Sequence, residues 1–118
     1  MLEKLFGNII IEKVLLYLLV KEKSYASEMT RVFALSLYSV QRALLRLEEG
    51  SIIVGIPEGK IVMYSFNPRY PFLKELKDFL QKVYSSLPSA IKSKYYDRIQ
   101  RTRPRRRKKP LIKVKGND

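Results

Sequence analysis

The sequence predicts a mainly α-helical fold with one small β-hairpin, followed by a basic C-terminal helix and tail. Apolar residues recur at helical spacing in four stretches, and a β-branched stretch with a central turn interrupts them after Gly50. Positive charge is concentrated at the C-terminal end. We therefore expect the order α-α-α-β-β-α in a domain over residues 1–87, and a basic extension over residues 88–118.

Composition excludes several classes of function. The chain has 118 residues, is 46% hydrophobic, and contains no cysteine and no histidine. It can bury one small core, but it lacks the thiolate and imidazole groups that most metal sites and acid-base catalysts use. No apolar run approaches the roughly 18 residues of a membrane span. We expect a cytoplasmic protein with no metal, no cofactor and no enzymatic activity.

The distribution of charge points to a polyanionic partner. The net charge is +13, with 12 basic against 9 acidic side chains in residues 1–91 and 12 against 2 in residues 92–118. A strongly basic segment of this kind commonly binds nucleic acid phosphates.

The first long helix is predicted from about Ile9 to Glu22, with Asn8 as its N-cap. Apolar residues lie almost all the way around this helix, because Leu16 and Leu19 lie outside the main apolar face. A helix with one exposed face does not need this, so we expect burial on two sides, including against a second subunit.

A second helix is predicted from Ala26 to Phe33, and the connector to the next helix is only Ala34-Leu35. So short a connector forces the two helices to cross steeply, which is helix-turn-helix geometry. An ordinary α-hairpin is the alternative.

The third helix has both ends specified, by Ser36 as N-cap and by Gly50 at its C-terminus. Helical spacing directs the apolar Val40, Leu44 and Leu47 to one face. The opposite face carries Tyr38, Gln41, Arg42, Leu45 and Arg46. Like charges four residues apart repel by a few tenths of a kcal/mol, so the two arginines favour an anionic partner over a merely solvated face.

The pattern becomes extended after Gly50. Residues 51–56 and 61–66 are predicted strands, and residues 57–60 have the composition of a tight turn. A hairpin directly after such a helix is a β-wing.

The last long helix is predicted over residues 72–87, between Pro71 and Pro88. Its apolar stripe is wider than a small body can cover, which favours a partner surface. The alternative is packing within a monomer, against the first helix and the hairpin.

A short basic helix is predicted from Ser89 to about Thr102, with Ile91, Tyr95 and Ile99 on one side. Residues 103–110 then contain six cations and two prolines, so they can neither hold a helix nor bury a core. We expect the chain beyond about residue 102 to be flexible. The basic run suits phosphate binding, and an import-type address is the alternative.

The order of elements resembles the winged helix-turn-helix transcription regulators of the ArsR and MarR type, especially their short prokaryotic members. The similarity covers residues 5–87. Its most specific part is the segment from Ala34 to Gly50 followed by Ile52-Ile53, which matches the turn, serine cap and apolar positions of the family's recognition helix. The segment Tyr64-Ser65-Phe66-Asn67-Pro68 is similar to the end of the family's second wing strand.

The resemblance implies a sequence-specific regulator that binds double-stranded DNA as a two-fold dimer, with helix 36–49 in the major groove. The implied DNA-binding residues are Ser36, Tyr38, Ser39, Gln41, Arg42, Arg46 and Lys60, to which the tail adds Arg103, Arg105, Arg106, Arg107, Lys108 and Lys109. The implied dimer interface comprises Leu5, Ile9, Leu16, Phe72, Leu76, Phe79, Leu80, Val83 and Leu87.

The chain departs from the family in three respects. It lacks the cysteines and histidines of the metal-sensing members, its wing carries only Lys60 at the tip, and its basic tail lies outside the family pattern. Two other functions stay open: RNA binding or ribosome association, and a protein-interaction adaptor that uses helix 72–87. A small-molecule effector also stays open, in a pocket near Tyr17, Tyr25 or Phe33.

Overall fold

A computed structural model of the chain describes residues 3–97. The helices are α1 (Glu3–Phe6), α2 (Ile9–Lys21), α3 (Ala26–Phe33), α4 (Leu37–Glu49), α5 (Leu73–Ser86) and α6 (Ser89–Ile91), and a π-helix follows at Lys92–Asp97. The strands are β1 (Lys23–Ser24), β2 (Ile53–Glu58) and β3 (Ile61–Phe66). The fold is mostly helical with a small antiparallel sheet, the winged-helix arrangement that the sequence predicts. The expected flexibility beyond residue 102 lies outside the described residues, as does the basic run.

Helix α2 forms the centre of the core. It begins where Asn8 Oδ1 accepts a hydrogen bond from the Ile10 amide at 2.7 Å. Seven residues of α2 are buried, including the five consecutive residues 14–18, because α3, α4 and α5 pack against the helix. Leu16 is 0% exposed, so its expected place in a dimer interface is wrong: the protomer buries it.

The sheet has the strand order β1-β3-β2, and every pairing is antiparallel. Its base joins the core through the cross-strand pair Ile53 and Phe66. The short strand β1, which the sequence analysis did not predict, lies between α2 and α3 and pairs with β3. Strand β2 runs through Pro57 to Glu58, so the turn is shorter than expected. Proline is tolerated there because β2 is an edge strand.

Helix α5 packs on α2 within the protomer. Leu80, Val83 and Leu87 are buried in the core, so these three residues cannot form the expected dimer surface. The wide apolar stripe is therefore divided, with one side covered by the protomer and the other exposed at Phe72 and Phe79.

The segment after Pro88 is not the regular α-helix that was expected. A single α-helical turn leads into the π-helix, whose wider turn brings the neighbouring Tyr95 and Tyr96 against the same ring of Phe33. The ring centroids lie 5.2 Å and 5.9 Å from that of Phe33. Tyr96 is buried, so this segment contributes to the core.

The region considered for an effector pocket is mostly filled. Tyr17 and Phe33 are core residues whose rings meet edge to face at 5.6 Å, which leaves no pocket between them. Tyr25 is half-buried and its hydroxyl accepts a hydrogen bond from Arg31. No helix in residues 3–97 is long and apolar enough to cross a membrane.

Candidate nucleic-acid interface

Helix α4 is held firmly at both ends and along one face. The Ser36 hydroxyl oxygen accepts a hydrogen bond from the Ser39 amide at 3.1 Å, and the Gly50 amide donates to the Arg46 carbonyl at 3.2 Å. The inner face, formed by Val40, Ala43, Leu44 and Leu47, is buried. The serine cap acts as the sequence predicts, and the helix ends before Gly50 as expected. The left-handed residue at this end is Ser51, with φ of 61°, and Gly50 has φ of −83°.

The outer face of α4 is open to solvent. Tyr38 is 71% exposed, and Gln41, Arg42 and Arg46 are exposed as well. Neither arginine side chain forms a hydrogen bond or an ion pair with another residue in the described part of the chain. Their guanidinium groups therefore remain available to an external acceptor.

The turn before α4 has a strained backbone. Ala34 adopts the left-handed conformation, with φ of 55°, and the Leu35 amide donates to the Thr30 carbonyl at 3.2 Å. This turn ends α3 and redirects the chain into α4 within three residues, so it fixes the angle at which α4 leaves the body.

The hairpin is fastened to the end of α4. Asn67 Nδ2 donates to the Ser51 carbonyl, and the Asn67 amide donates to the Ile52 carbonyl, both at 2.9 Å. Asn67 thereby ties the end of β3 to the link between α4 and β2. Lys60 is exposed at the hairpin tip, and Glu58 is the other charged residue of the tip.

Gly55 allows a close contact between the hairpin and α4. A Cβ atom at this position would lie 2.8 Å from Tyr64 Cε1 and 3.2 Å from Glu48 Oε2. An edge of the Tyr64 ring therefore lies close to the glycine, as does the Glu48 carboxylate. Burial, and to a smaller extent this carboxylate, raises the pKa of Tyr64.

A groove of about 560 Å³ runs along α4, and sequence reasoning did not find it. One wall is the start of α2 with Asn8, Ile10 and Ile11, and the other includes Arg42 and Arg46. Only the folded chain brings these two segments together, since more than thirty residues separate them. No cluster of three potential metal-ligating side chains occurs within residues 3–97.

The structure brings together six of the expected DNA-binding residues on α4 and its cap, and it places Lys60 apart from them on the hairpin. The basic run from Arg103 to Lys109 lies outside the described residues. Among the expected dimer residues, Leu5, Ile9, Phe72 and Phe79 are exposed and Leu76 is half-buried.

Comparison with known proteins supports the fold. No family profile matches the sequence, and no curated protein matches it. A structure of a mutant ZitR from Lactococcus lactis in apo form is similar, with a TM-score of 0.50 and 21% identity over 83% of this chain and 78% of that chain. A second structure of the same mutant has a TM-score of 0.50 and 22% identity over 77% of this chain and 64% of that chain. The chain therefore shares its fold with these proteins.

Proposed function

We propose that this protein is a sequence-specific DNA-binding transcription regulator of the cytoplasm that places α4 in the major groove of duplex DNA. One observation carries the proposal: α4 presents Gln41, Arg42 and Arg46, which other described residues leave unpaired, on the exposed side of a helix whose opposite side is locked in the core. A rigid helix of this width fits the major groove.

The residues of α4 have separate roles in this proposal. Gln41 pairs with adenine, and Arg42 pairs with guanine through two hydrogen bonds, with about 1–3 kcal/mol of discrimination for each good pair. Tyr38, Ser39 and Ser36 contact phosphates or base edges at the start of the helix. Arg46, one turn further along, holds the sugar-phosphate backbone. Lys60 contacts the minor groove or a flanking phosphate, while the basic tail adds affinity without sequence information.

A two-fold dimer completes the proposal. The expected interface residues that remain exposed supply a surface for the second subunit: Leu5 on α1, Ile9 on α2, Phe72 just before α5, and Phe79 on α5. The half-buried Leu76 lies between the two phenylalanines in the sequence. A two-fold arrangement requires a palindromic operator with half-sites about one helical turn apart.

Selection of duplexes from a random pool at two salt concentrations tests the proposal. The wild-type protein should enrich a palindromic sequence, and Arg42→Ala should weaken binding and relax the preference at one base pair. Lys82→Ala is the matched control, because it removes one exposed cation from α5 and leaves α4 intact.

Two outcomes would contradict the proposal and favour other functions. Equal binding to structured RNA and to duplex DNA at the same salt concentration would indicate an RNA-binding or ribosome-associated protein. Unchanged DNA affinity in Arg42→Ala, with loss of activity in Leu76→Asp, would indicate a protein-interaction adaptor.

A further inference from the structure

The hairpin has one face on which four of the six residues are apolar and two of these four are exposed. Side chains alternate between the two faces of a strand, so the cross-strand register defines this face. From base to tip it comprises Val54 with Ser65, Ile56 with Met63, and Glu58 with Ile61. We call it the outer hairpin face.

The outer hairpin face differs from the usual exposed side of an antiparallel sheet, which is polar. Ile56 is 56% exposed and Ile61 is 37% exposed, while Val54 and Met63 are half-buried. Contiguous exposed apolar residues on a sheet mark an interaction surface more often than a solvated one. The opposite face is buried at its base by Ile53 and Phe66, and near the tip it exposes Val62.

The charges around this face are arranged symmetrically. Lys23 of β1 pairs with Ser65, which lies two residues from Met63 in one direction. Glu58 pairs with Ile61, which lies two residues from Met63 in the other direction. Strands β1 and β2 flank β3, so Lys23 and Glu58 lie at opposite corners with Met63 midway between them. Both side chains are exposed and form no ion pair within residues 3–97.

The chemistry of the outer hairpin face favours protein over nucleic acid. Surfaces that bind DNA are polar and strongly positive. This face is apolar at its centre, and its two flanking charges cancel. Apolar centres with balanced charges at the rim are typical of contacts between proteins.

We infer that the outer hairpin face packs against the same face of a second copy of this chain, about a two-fold axis that passes through Met63. The axis lies in the plane of the contact and is perpendicular to the line between Lys23 and Glu58. It therefore places the lysine of each copy against the glutamate of the other, so the contact forms two ion pairs. The apolar residues of the two hairpins meet between these pairs. This contact goes beyond the proposed function, since it uses no residue of α4 and lies apart from the helical surface proposed for the dimer.

A charge exchange tests the inference. Sedimentation velocity over a range of concentrations measures self-association of Lys23→Glu, Glu58→Lys and the double exchange, all in a Phe79→Asp background that removes the proposed helical contact. Each single change should weaken the association about tenfold, because both symmetry-related ion pairs become repulsive. The double exchange should restore it. Single variants that associate like their parent, or a double exchange that fails to restore association, would overturn the inference.

Neighbouring residues on opposite faces supply a matched test of the apolar contact. Ile61 and Val62 are 37% and 39% exposed, and only Ile61 belongs to the outer hairpin face. Ile61→Ser should weaken self-association while Val62→Ser should not, with duplex binding at dilute protein unchanged in both. Equal effects of the two substitutions, or loss of duplex binding in Ile61→Ser alone, would overturn the inference. Failure of Arg42→Ala to alter DNA binding would contradict only the proposed function.

Discussion

The hydroxyl of Ser24 donates a hydrogen bond to the carboxylate of Glu28, with 2.6 Å between the two oxygen atoms. Lys21 Nζ lies 2.6 Å from the other carboxylate oxygen. Ser24 is 1% exposed, so this carboxylate satisfies a hydroxyl that has no access to water. One side chain of α3 thereby fixes the end of α2 and the strand β1 that supports the hairpin.

This arrangement predicts a loss of stability in acid. Burial raises the pKa of Glu28, but the hydrogen bonds from Lys21 and Ser24 outweigh it, so the pKa is lowered overall. The stabilisation from Glu28 is complete above its pKa in the unfolded chain, which is about 4.3. It is lost as the pH falls through the lowered pKa of the folded state. Glu28→Gln should lower the free energy of unfolding at neutral pH by about 1–3 kcal/mol and reduce its dependence on acid pH. Urea unfolding across this pH range measures both effects, with the exposed Glu75→Gln as control.

The strained turn before α4 predicts that glycine is tolerated at position 34. A left-handed alanine costs about 1–2 kcal/mol, which glycine removes. The greater freedom of glycine in the unfolded chain offsets about 0.4–1 kcal/mol of this gain. Ala34→Gly should therefore raise the free energy of unfolding by up to about 1 kcal/mol, as measured by thermal unfolding. Ala90→Gly within α6 is the control and should be destabilising. A larger loss in Ala34→Gly than in Ala90→Gly would contradict this account of the turn.

The close contact at Gly55 predicts that even alanine disturbs the hairpin. The added methyl group would lie 2.8 Å from atoms of Val62 and Tyr64, so both side chains must move. We expect Gly55→Ala to lower the free energy of unfolding by about 1–3 kcal/mol. Gly50→Ala is the matched control, because its nearest neighbour would be 3.5 Å away and its φ is −83°. Equal stability of the two variants in urea would show that the contact is not tight.

The basic run predicts a salt effect without a sequence effect. If the six cations between Arg103 and Lys109 each neutralise one phosphate, their replacement by glutamine should flatten the slope of log K against log salt by about five. Fluorescence anisotropy with a selected and an unrelated duplex measures the slope for each. The ratio of the two affinities should stay constant, and a change in that ratio would assign base recognition to the tail.

The exposed side of α5 predicts the effect of an acidic substitution on assembly. Phe79 is 40% exposed, so Phe79→Asp should leave the fold intact and should abolish association through this surface. Sedimentation velocity over a range of protein concentrations compares the association of the variant with that of the wild type. Lys82→Ala on the same helix is the control, and an unaltered mass for Phe79→Asp would exclude α5 from the interface.

Local signals predict the helix-turn-helix region well. Ser36 and Gly50 mark the ends of α4 because a cap and a terminator act through hydrogen bonds within a few residues. The spacing of Val40, Leu44 and Leu47 identifies the buried face because the helical repeat is also a local property. These features depend little on the rest of the chain.

Features that depend on distant residues are not predictable from the sequence in this way. Strand β1 exists because Lys23 and Ser24 pair with β3, some forty residues later. The width of an apolar stripe shows that Leu16 and Leu80 are covered, but not whether the same chain or a second subunit covers them. The groove between Asn8 and Arg42 forms only when α2 packs on α4.

The aromatic cluster at the end of α3 joins two regions that are far apart in sequence. Phe33 is the last residue before the turn into α4, and the rings of Tyr95 and Tyr96 rest on it. Removing the π-helix would therefore expose the Phe33 ring and weaken the packing that supports the turn before α4. The carboxyl end of the described region is therefore in direct contact with the residue from which the turn into α4 begins.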